Sequence, residues 1–364
     1  MEQERDKNGH LKAGIRLPGW DYCRPWIYMI TLVVKRRRPI LGEIVDGRLK
    51  PTALGTAVAR AWKQLGTVFP EVEPCQYAVM PEHFHGIIWV HQRLKSPLGE
   101  VIRSFKIACT KANLALETPV TIDGSTTFWF PGLYDTILFG KGQLKRMTRY
   151  TLRNAERRWA VMQNPDLFKV TRAIDLAAIV EGALGERTAQ PEIPVGMPGA
   201  PSGVMPGAPR APSSLPATCD AIGNAFLLDV PHKLPIQISR RASQDEIAAR
   251  KEEALLFGSR GGVVVSGCIS PGEQAVTRAV REAGLPLIAI VPRGFGPYFK
   301  PGGAYFDACA EGKLLMLSPF PQIAKTAPLT RERCFGINAV AAAICGEDPA
   351  AIRYHGSQPG SFAR

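Results

Sequence analysis

The chain has 364 residues, 45% of them apolar and 21% charged, with a mean hydropathy near zero. This composition can bury ordinary cores and excludes wholesale disorder, and the length suggests two or three domains at roughly 150 residues each. The net charge is +13; residues 1–170 hold 26 Lys and Arg against 15 Asp and Glu, and the other 194 hold 19 against 17, so the basic surface is N-terminal and favours a polyanion such as nucleic acid.

No run of 18 apolar residues occurs, which excludes a membrane-spanning helix and a membrane partner. The charged start MEQERDKNGHLKAG lacks the apolar core of a signal peptide, so a cytoplasmic location is expected. The 8 cysteines are scattered without a C-x-x-C pair and read as buried thiols, neither a disulfide scaffold nor a zinc knuckle.

In chain order, apolar periodicity predicts a strand at Ile27–Val34, a helix at Thr52–Leu65, strands at Val72–Met80 and His83–Val90, and a helix at Leu98–Leu116. A strand follows at Phe128–Leu138, interrupted by Pro131-Gly132, and a last helix at Gln143–Trp159. The order βαββαβα, with a hairpin between the second and third strands, predicts a ferredoxin-like α+β domain over residues 18–170. Residues 186–218 are rich in Pro, Gly, Ala and Ser, with MPGAP at 197–201 and again at 205–209, and read as a linker. Beyond it, Phe226–Leu228, Ile236–Ser239, Gly262–Val265, Leu285–Val291 and Leu314–Leu317 read as strands alternating with helices. They predict an α/β Rossmann-like domain over 219–347, followed by a tail at 348–364.

Residues 80–86 read Met-Pro-Glu-His-Phe-His-Gly and lead into the apolar run Ile87–Val90. Side chains alternate along a strand, so His83 and His85 share one face and Phe84 takes the other. Two such imidazoles can share a divalent metal, leaving positions for substrate oxygens and water; a pair of surface histidines is the plainer alternative. On the helical wheel of the last helix, Leu144, Met147, Thr148, Thr151, Leu152, Ala155 and Trp159 form the core-facing stripe. Tyr150 and Asn154 fall outside it, one above the other, with Arg146, Arg153 and Arg157 beside them. A tyrosine on a basic face near a metal suits attack on a phosphodiester, and a basic DNA-binding face without chemistry is the alternative. Arg36, Arg37 and Arg38 after the first strand, and Arg103 and Lys106 on the middle helix, are candidate phosphate contacts or solvated charges. Trp129 and Tyr134 flank the Pro-Gly kink as core or stacking residues.

The segments WDYCRPWIYMITLVVKRRRPILGEI, YAVMPEHFHGIIWV, LGEVIRSFKIACTKA, FWFPGLYDTIL and LKRMTRYTLRNAERRW resemble the REP-associated branch of the single-tyrosine HUH transposases, over about residues 18–168. The resemblance implies cleavage and transfer of single-stranded or hairpin DNA through a covalent 5′-phosphotyrosine. It makes Tyr150 the nucleophile and His83, His85 and Asn154 the ligands of Mg²⁺ or Mn²⁺. It leaves open a homodimer and whether the tyrosine serves its own subunit. Ala155 stands where relatives usually carry proline, which lengthens the helix and removes no ligand. A phenol titrates near pH 10, so such a nucleophile needs a positive field or a base. A non-catalytic DNA-binding regulator descended from such an enzyme is the rival reading.

In the second half, Ser270 reads as a helix N-cap, Pro271 as the first helical residue and Glu273 as the third member of a capping box. That strand-to-helix turn is also an anion site that Glu273 partly neutralises. No G-x-G-x-x-G is present, which disfavours a dinucleotide enzyme. The segments VVVSGCISPGEQAV, LPLIAIVPRGFGPYFKP, FDACAEGKLLMLSP and TRERCFGINAVAAAIC resemble the Rossmann-like DNA-processing protein A superfamily. This implies nucleotide or single-stranded DNA binding without requiring catalysis. Ser266, Gly267, Ser270, Arg293 and Lys300 are the candidate ligand residues there, and Phe295, Tyr298 and Phe299 add stacking surfaces or loop packing.

Overall fold

The computed structural model describes residues 17, 19–181, 215–323 and 327–347. The chain divides into two units, Met1–Gln163 and Asn164–Arg364. The expected linker lies outside the described residues as far as 214, and so does the tail at 348–364.

The first unit is built on β1 (Trp26–Val33), β4 (Val72–Met80), β5 (His83–Val90) and β6 (Tyr134–Ile137), all antiparallel in the order β4-β5-β1-β6. A separate hairpin of β2 (Gly42–Val45) and β3 (Arg48–Pro51) turns at Asp46-Gly47, both with positive φ. The helices are α1 (Ala53–Lys63), α2 (Leu65–Val68), α3 (Leu98–Leu114), α4 (Gln143–Leu152) and α5 (Asn154–Gln163).

Alternation assigns the faces of this sheet. Tyr28, Ile30 and Leu32 of β1 and Phe84, Ile88 and Val90 of β5 enter one core with Trp62 of α1 and Phe105 of α3. On the opposite face Met29, Ile87 and Leu138 form a smaller cluster against Ile27, Cys75 and Met147 of α4. Helix α1 starts where Thr52 Oγ1 accepts the Gly55 N–H at 3.0 Å, and buries Leu54, Val58 and Trp62 at four-residue spacing. Gly86 is required by close approach: a Cβ there would lie 2.5 Å from the Trp62 ring, so the residue beside His85 is set by how α1 packs.

Three first-unit expectations change. The predicted last helix breaks at Arg153, whose φ of −95° and ψ of 12° end α4 before α5 begins. The inward stripe runs through Met147, Thr151 and Asn154 at four- and three-residue spacing: Asn154, expected outside the core stripe, is buried at 7% exposure, and Leu152, expected inside it, is 61% exposed. Leu144 is also exposed, and because the helix breaks at Arg153, Ala155 does not extend a continuous one. The predicted strand Phe128–Leu138 shortens to β6, because the Pro131-Gly132 segment leaves the sheet while Trp129 makes only an isolated bridge to Val34. The β2–β3 hairpin was not expected.

The second unit carries a six-stranded mixed sheet in the order β7-β8-β12-β11-β10-β9. Its strands are β7 (Thr171–Asp175), β8 (Thr218–Gly223), β9 (Lys233–Ile236), β10 (Val263–Ser266), β11 (Leu287–Ile290) and β12 (Leu314–Ser318). β9 to β12 are parallel, and β8 and β7 add on antiparallel. The inner strands read VVVS, LIAI and LLMLS and are buried throughout, as strands covered on both faces must be. Around them lie α6 (Gln244–Ser259), α7 (Pro271–Glu282), α8 (Ala304–Ala310) and α9 (Arg331–Ile344).

Phe226–Leu228, expected as a strand, lies in a 3₁₀ turn opened by the Asn224 side chain. β9 ends at Ile236, where a strand to Ser239 was expected. β7 precedes the Pro/Gly/Ala-rich segment and β8 follows it, yet the two pair, so the chain leaves and re-enters one sheet across that segment. All eight cysteines are free, but Cys23, Cys75, Cys268 and Cys334 are only half-buried, which corrects the expectation that every thiol is buried.

Candidate active site

The β1–β5 register puts His85 opposite Thr31 and His83 opposite Val33. The two imidazoles share one face, with ring centroids 4.8 Å apart and planes at 76°. Helix α4 crosses that face, and its Tyr150 ring lies 5.5 Å from the His85 ring, edge to face. Tyr150 remains 36% exposed.

His85 has an orienting partner. Thr31 Oγ1 lies 2.8 Å from His85 Nδ1; when Nδ1 carries the proton and donates to the threonine, Nε2 is left with its lone pair. Burial, and then the neighbouring His83, lower the His85 pKa to about 3, which keeps the ring neutral as a metal ligand must be. His83 Nδ1 is buried without a hydrogen bond, 3.4 Å from Glu82 Oε1. The His83 imidazole, with Arg158 beyond it, holds the Glu82 carboxyl below its ordinary range against a burial that raises it.

Asn154 opens α5, and its buried Nδ2 has no hydrogen-bond partner. A buried amide without a partner is costly and marks a place where a further group fits; turning the amide over presents Oδ1 in the same position. Among the described residues no three His, Cys, Asp or Glu side chains cluster to hold a metal ion. Two imidazoles and an amide oxygen are a donor set that Mn²⁺ or Mg²⁺ accepts, with substrate and water oxygens completing the shell.

The expected phosphate contacts differ among themselves. Arg36 pairs with Asp123 at 2.7 Å, and Arg36 and Arg37 both have positive φ in the turn after β1, which leaves Arg37 and Arg38 exposed. Arg103 pairs with Glu100 at 3.4 Å, and Arg153 with Glu156 at 3.2 Å. Arg146 is exposed and Arg157 half-exposed. Lys106 is taken up structurally: its ammonium donates to the carbonyls of Phe130 and Gly132, fixing the loop that leads into β6. Thr31 and Glu82 were missed; Glu82 adjoins His83 in sequence, whereas Thr31 is revealed only by the strand register.

In the second unit the capping box forms as expected: Ser270 Oγ accepts the Glu273 N–H at 3.1 Å and Pro271 opens α7. Glu273 takes the backbone N–H groups of Ile269 at 2.7 Å, Ile238 at 3.2 Å and Ser270 at 3.4 Å, so its carboxylate occupies the anion position of that turn. Ser266 is fully buried, donating to the Ile236 carbonyl and accepting from the Cys268 N–H. A Cβ at Gly267 would lie 2.4 Å from an Ile337 methyl. Arg293 donates to the Ala327 carbonyl at 2.8 Å. Lys300 lines a different place, a groove of about 550 Å³ with Phe168, Lys169, Arg172 and Tyr298.

The chain is 30% identical over 121 residues to an uncharacterised protein of Haemophilus influenzae, across 28% of this chain and 67% of that protein. The chain belongs to that protein's family. No family model matches it. Among solved structures, a REP-associated tyrosine transposase bound to a REP hairpin superposes at 16% identity over 40% of this chain and 74% of its own, with a TM-score of 0.29. DNA processing protein A from Helicobacter pylori, studied for its single-stranded DNA binding, is 21% identical over 39% of this chain and 64% of its own, with a TM-score of 0.29. The Streptococcus pneumoniae protein of that name is 23% identical over 36% and 44%, with a TM-score of 0.28. The functional reading therefore rests on the side chains. Among the described residues no helix is long and apolar enough to cross a membrane.

Proposed function

We propose that the first unit cleaves and rejoins single-stranded or hairpin DNA by transfer to Tyr150, with His83, His85 and Asn154 holding Mg²⁺ or Mn²⁺. The observation that carries this is the convergence of His83, His85 and Tyr150 on one sheet face, 4.8 and 5.5 Å apart ring to ring. The strand order β4-β5-β1-β6, with α1 and α3 on one face, supports a ferredoxin-like arrangement, and the four parallel strands of the second unit support a Rossmann-like one.

The bound cation supplies charge stabilisation at the non-bridging oxygens of the scissile phosphate, a contribution of several kcal/mol. The protein's own groups do the rest. The Tyr150 phenol gives up its proton to solvent water and its oxygen forms a bond to phosphorus. The bond to the 3′-oxygen breaks, and that oxygen leaves as a 3′-hydroxyl after taking a proton. The new phosphotyrosine conserves the bond energy, so the reverse attack by a 3′-hydroxyl rejoins strands without ATP. The basic first unit holds the strand by its phosphates.

Incubating the protein with end-labelled hairpin DNA and Mn²⁺, followed by denaturing electrophoresis, tests this. A covalent adduct is expected, and Tyr150→Phe should abolish it while hairpin binding persists. An adduct retained in Tyr150→Phe moves the nucleophile to another residue, Tyr134 first. Binding without any adduct in the wild-type protein overturns the enzyme reading in favour of a DNA-binding regulator.

A further inference from the structure

We infer that Trp20, Arg24, Trp26 and Phe139 form a stacking platform for unpaired bases of single-stranded DNA, at the end of β1 opposite the histidine pair. The inference rests on the first unit being a DNA-binding unit and adds a separate place where the bases, not the phosphates, are held.

Three aromatic rings meet there. Phe139 stands 4.9 Å from Trp20 and 5.7 Å from Trp26, and the two indoles are 5.6 Å apart. The cluster is anchored from below, where Trp20 Nε1 donates to the Tyr28 hydroxyl at 3.1 Å, yet it is open above: Phe139 is 53% exposed.

Charge selects the occupant. The Arg24 guanidinium lies 4.7 Å from the Trp20 ring centre and 5.3 Å from that of Trp26, so a cation is built into the aromatic surface. Asp21, the nearby carboxylate, is engaged by Arg93 at 2.8 Å, so Arg24 keeps its charge for an anion. The rings meet edge to face and Arg24 lies over both indoles, so an exposed Phe139 ring beside a stacked cation, on a unit already in large positive surplus, is what bases alternating with phosphates would meet. A duplex keeps its bases stacked inside, so the strand must be single. Trp26 and Thr31 are five residues apart on β1, about 17 Å at strand rise, and alternation turns Trp26 to the face of α1 and α3 while the histidine pair lies on the other, so the platform is a place separate from the histidine site.

The test uses the full-length protein in EDTA, so that no cleavage occurs, and follows the fluorescence anisotropy of a labelled short oligo-deoxythymidylate and of an abasic strand of equal length and charge. Wild-type protein should bind the base-bearing strand about tenfold more tightly. Phe139→Ala should reduce that preference to near unity, and Phe139→Trp should restore it, with thermal melting confirming that both variants fold. Equal affinity of the wild-type protein for the two strands overturns the platform whatever the variants do, as does an unchanged preference in folded Phe139→Ala. So does a Phe139-dependent self-association with no base preference, which would make the patch a contact between copies. Tyr150→Phe should bind like wild type here, so loss of the covalent adduct and loss of base preference report separately on the two readings.

Discussion

Thr31 Oγ1 and His85 Nδ1 lie 2.8 Å apart across the β1–β5 ladder, in direct register. The pair ties the imidazole to the middle of the sheet, where Met29 and Ile87 pack immediately beyond it. Its ring plane is thereby set by backbone pairing and not by a loop, which is how a ligand is held in place before any ion arrives.

Thr31→Val keeps the β-branched shape and removes the hydroxyl, so the strand should fold as before while His85 is freed to rotate and change tautomer. Loss of such an outer partner costs about 10- to 100-fold in metal affinity. Manganese binding followed by electron paramagnetic resonance should show this weakening, with melting temperature nearly unchanged. Unaltered Mn²⁺ affinity would remove Thr31 from the site.

The histidine pair was legible because strand alternation is a local rule: HFHG followed by an apolar run fixes which side chains share a face. The capping box at Ser270 and Glu273 was legible for the same reason, each bond being made within one helical turn. Thr31 was not, because only the pairing of β1 with β5 brings it to His85. Asn154 was misplaced because Leu144 and Leu152, apolar yet exposed, draw the apparent stripe away from the side that Met147, Thr151 and Asn154 turn inward. The β2–β3 hairpin carried a readable signal in Asp46-Gly47, the dipeptide that favours a tight hairpin turn, flanked by Ile44 and Leu49.

Glu273 is the buried acid of the second unit, 3% exposed and held by three backbone N–H groups. Burial raises its pKa above the ordinary 4.5, against the lowering effect of those N–H donors. The folded chain therefore binds this proton more tightly than the unfolded chain. The stability it contributes is complete below pH 4.5 and is lost as pH rises through the folded-state value. Glu273→Gln should abolish that part of the pH dependence and, by setting an amide N–H₂ against backbone donors, destabilise the unit by about 1–3 kcal/mol. Thermal melting of both proteins across the weakly acidic range checks it; parallel profiles would assign the slope to other groups.

A chain ending at Gln163 should retain the chemistry of the first unit. Residues 1–170 carry 26 basic against 15 acidic side chains, and His83, His85, Tyr150 and Asn154 all precede the boundary between the units. The cut belongs there and not after residue 181, because β7 pairs with β8 of the second unit and would otherwise leave an unpaired strand edge prone to association. The shortened chain should still form the Mn²⁺-dependent adduct, and its affinity for hairpin DNA should fall steeply with salt, since neutralising phosphates releases counterions. The second unit would then tune which DNA is held and for how long: its capping carboxylate already fills the anion position at the turn after β10, and Ser266 and Ser270 spend their hydroxyls inside the fold. Measuring adduct yield and the slope of log affinity against log salt for both lengths decides the matter. A shortened chain that folds and binds Mn²⁺ but forms adduct only when residues 164–364 are added back would place an essential group in the second unit.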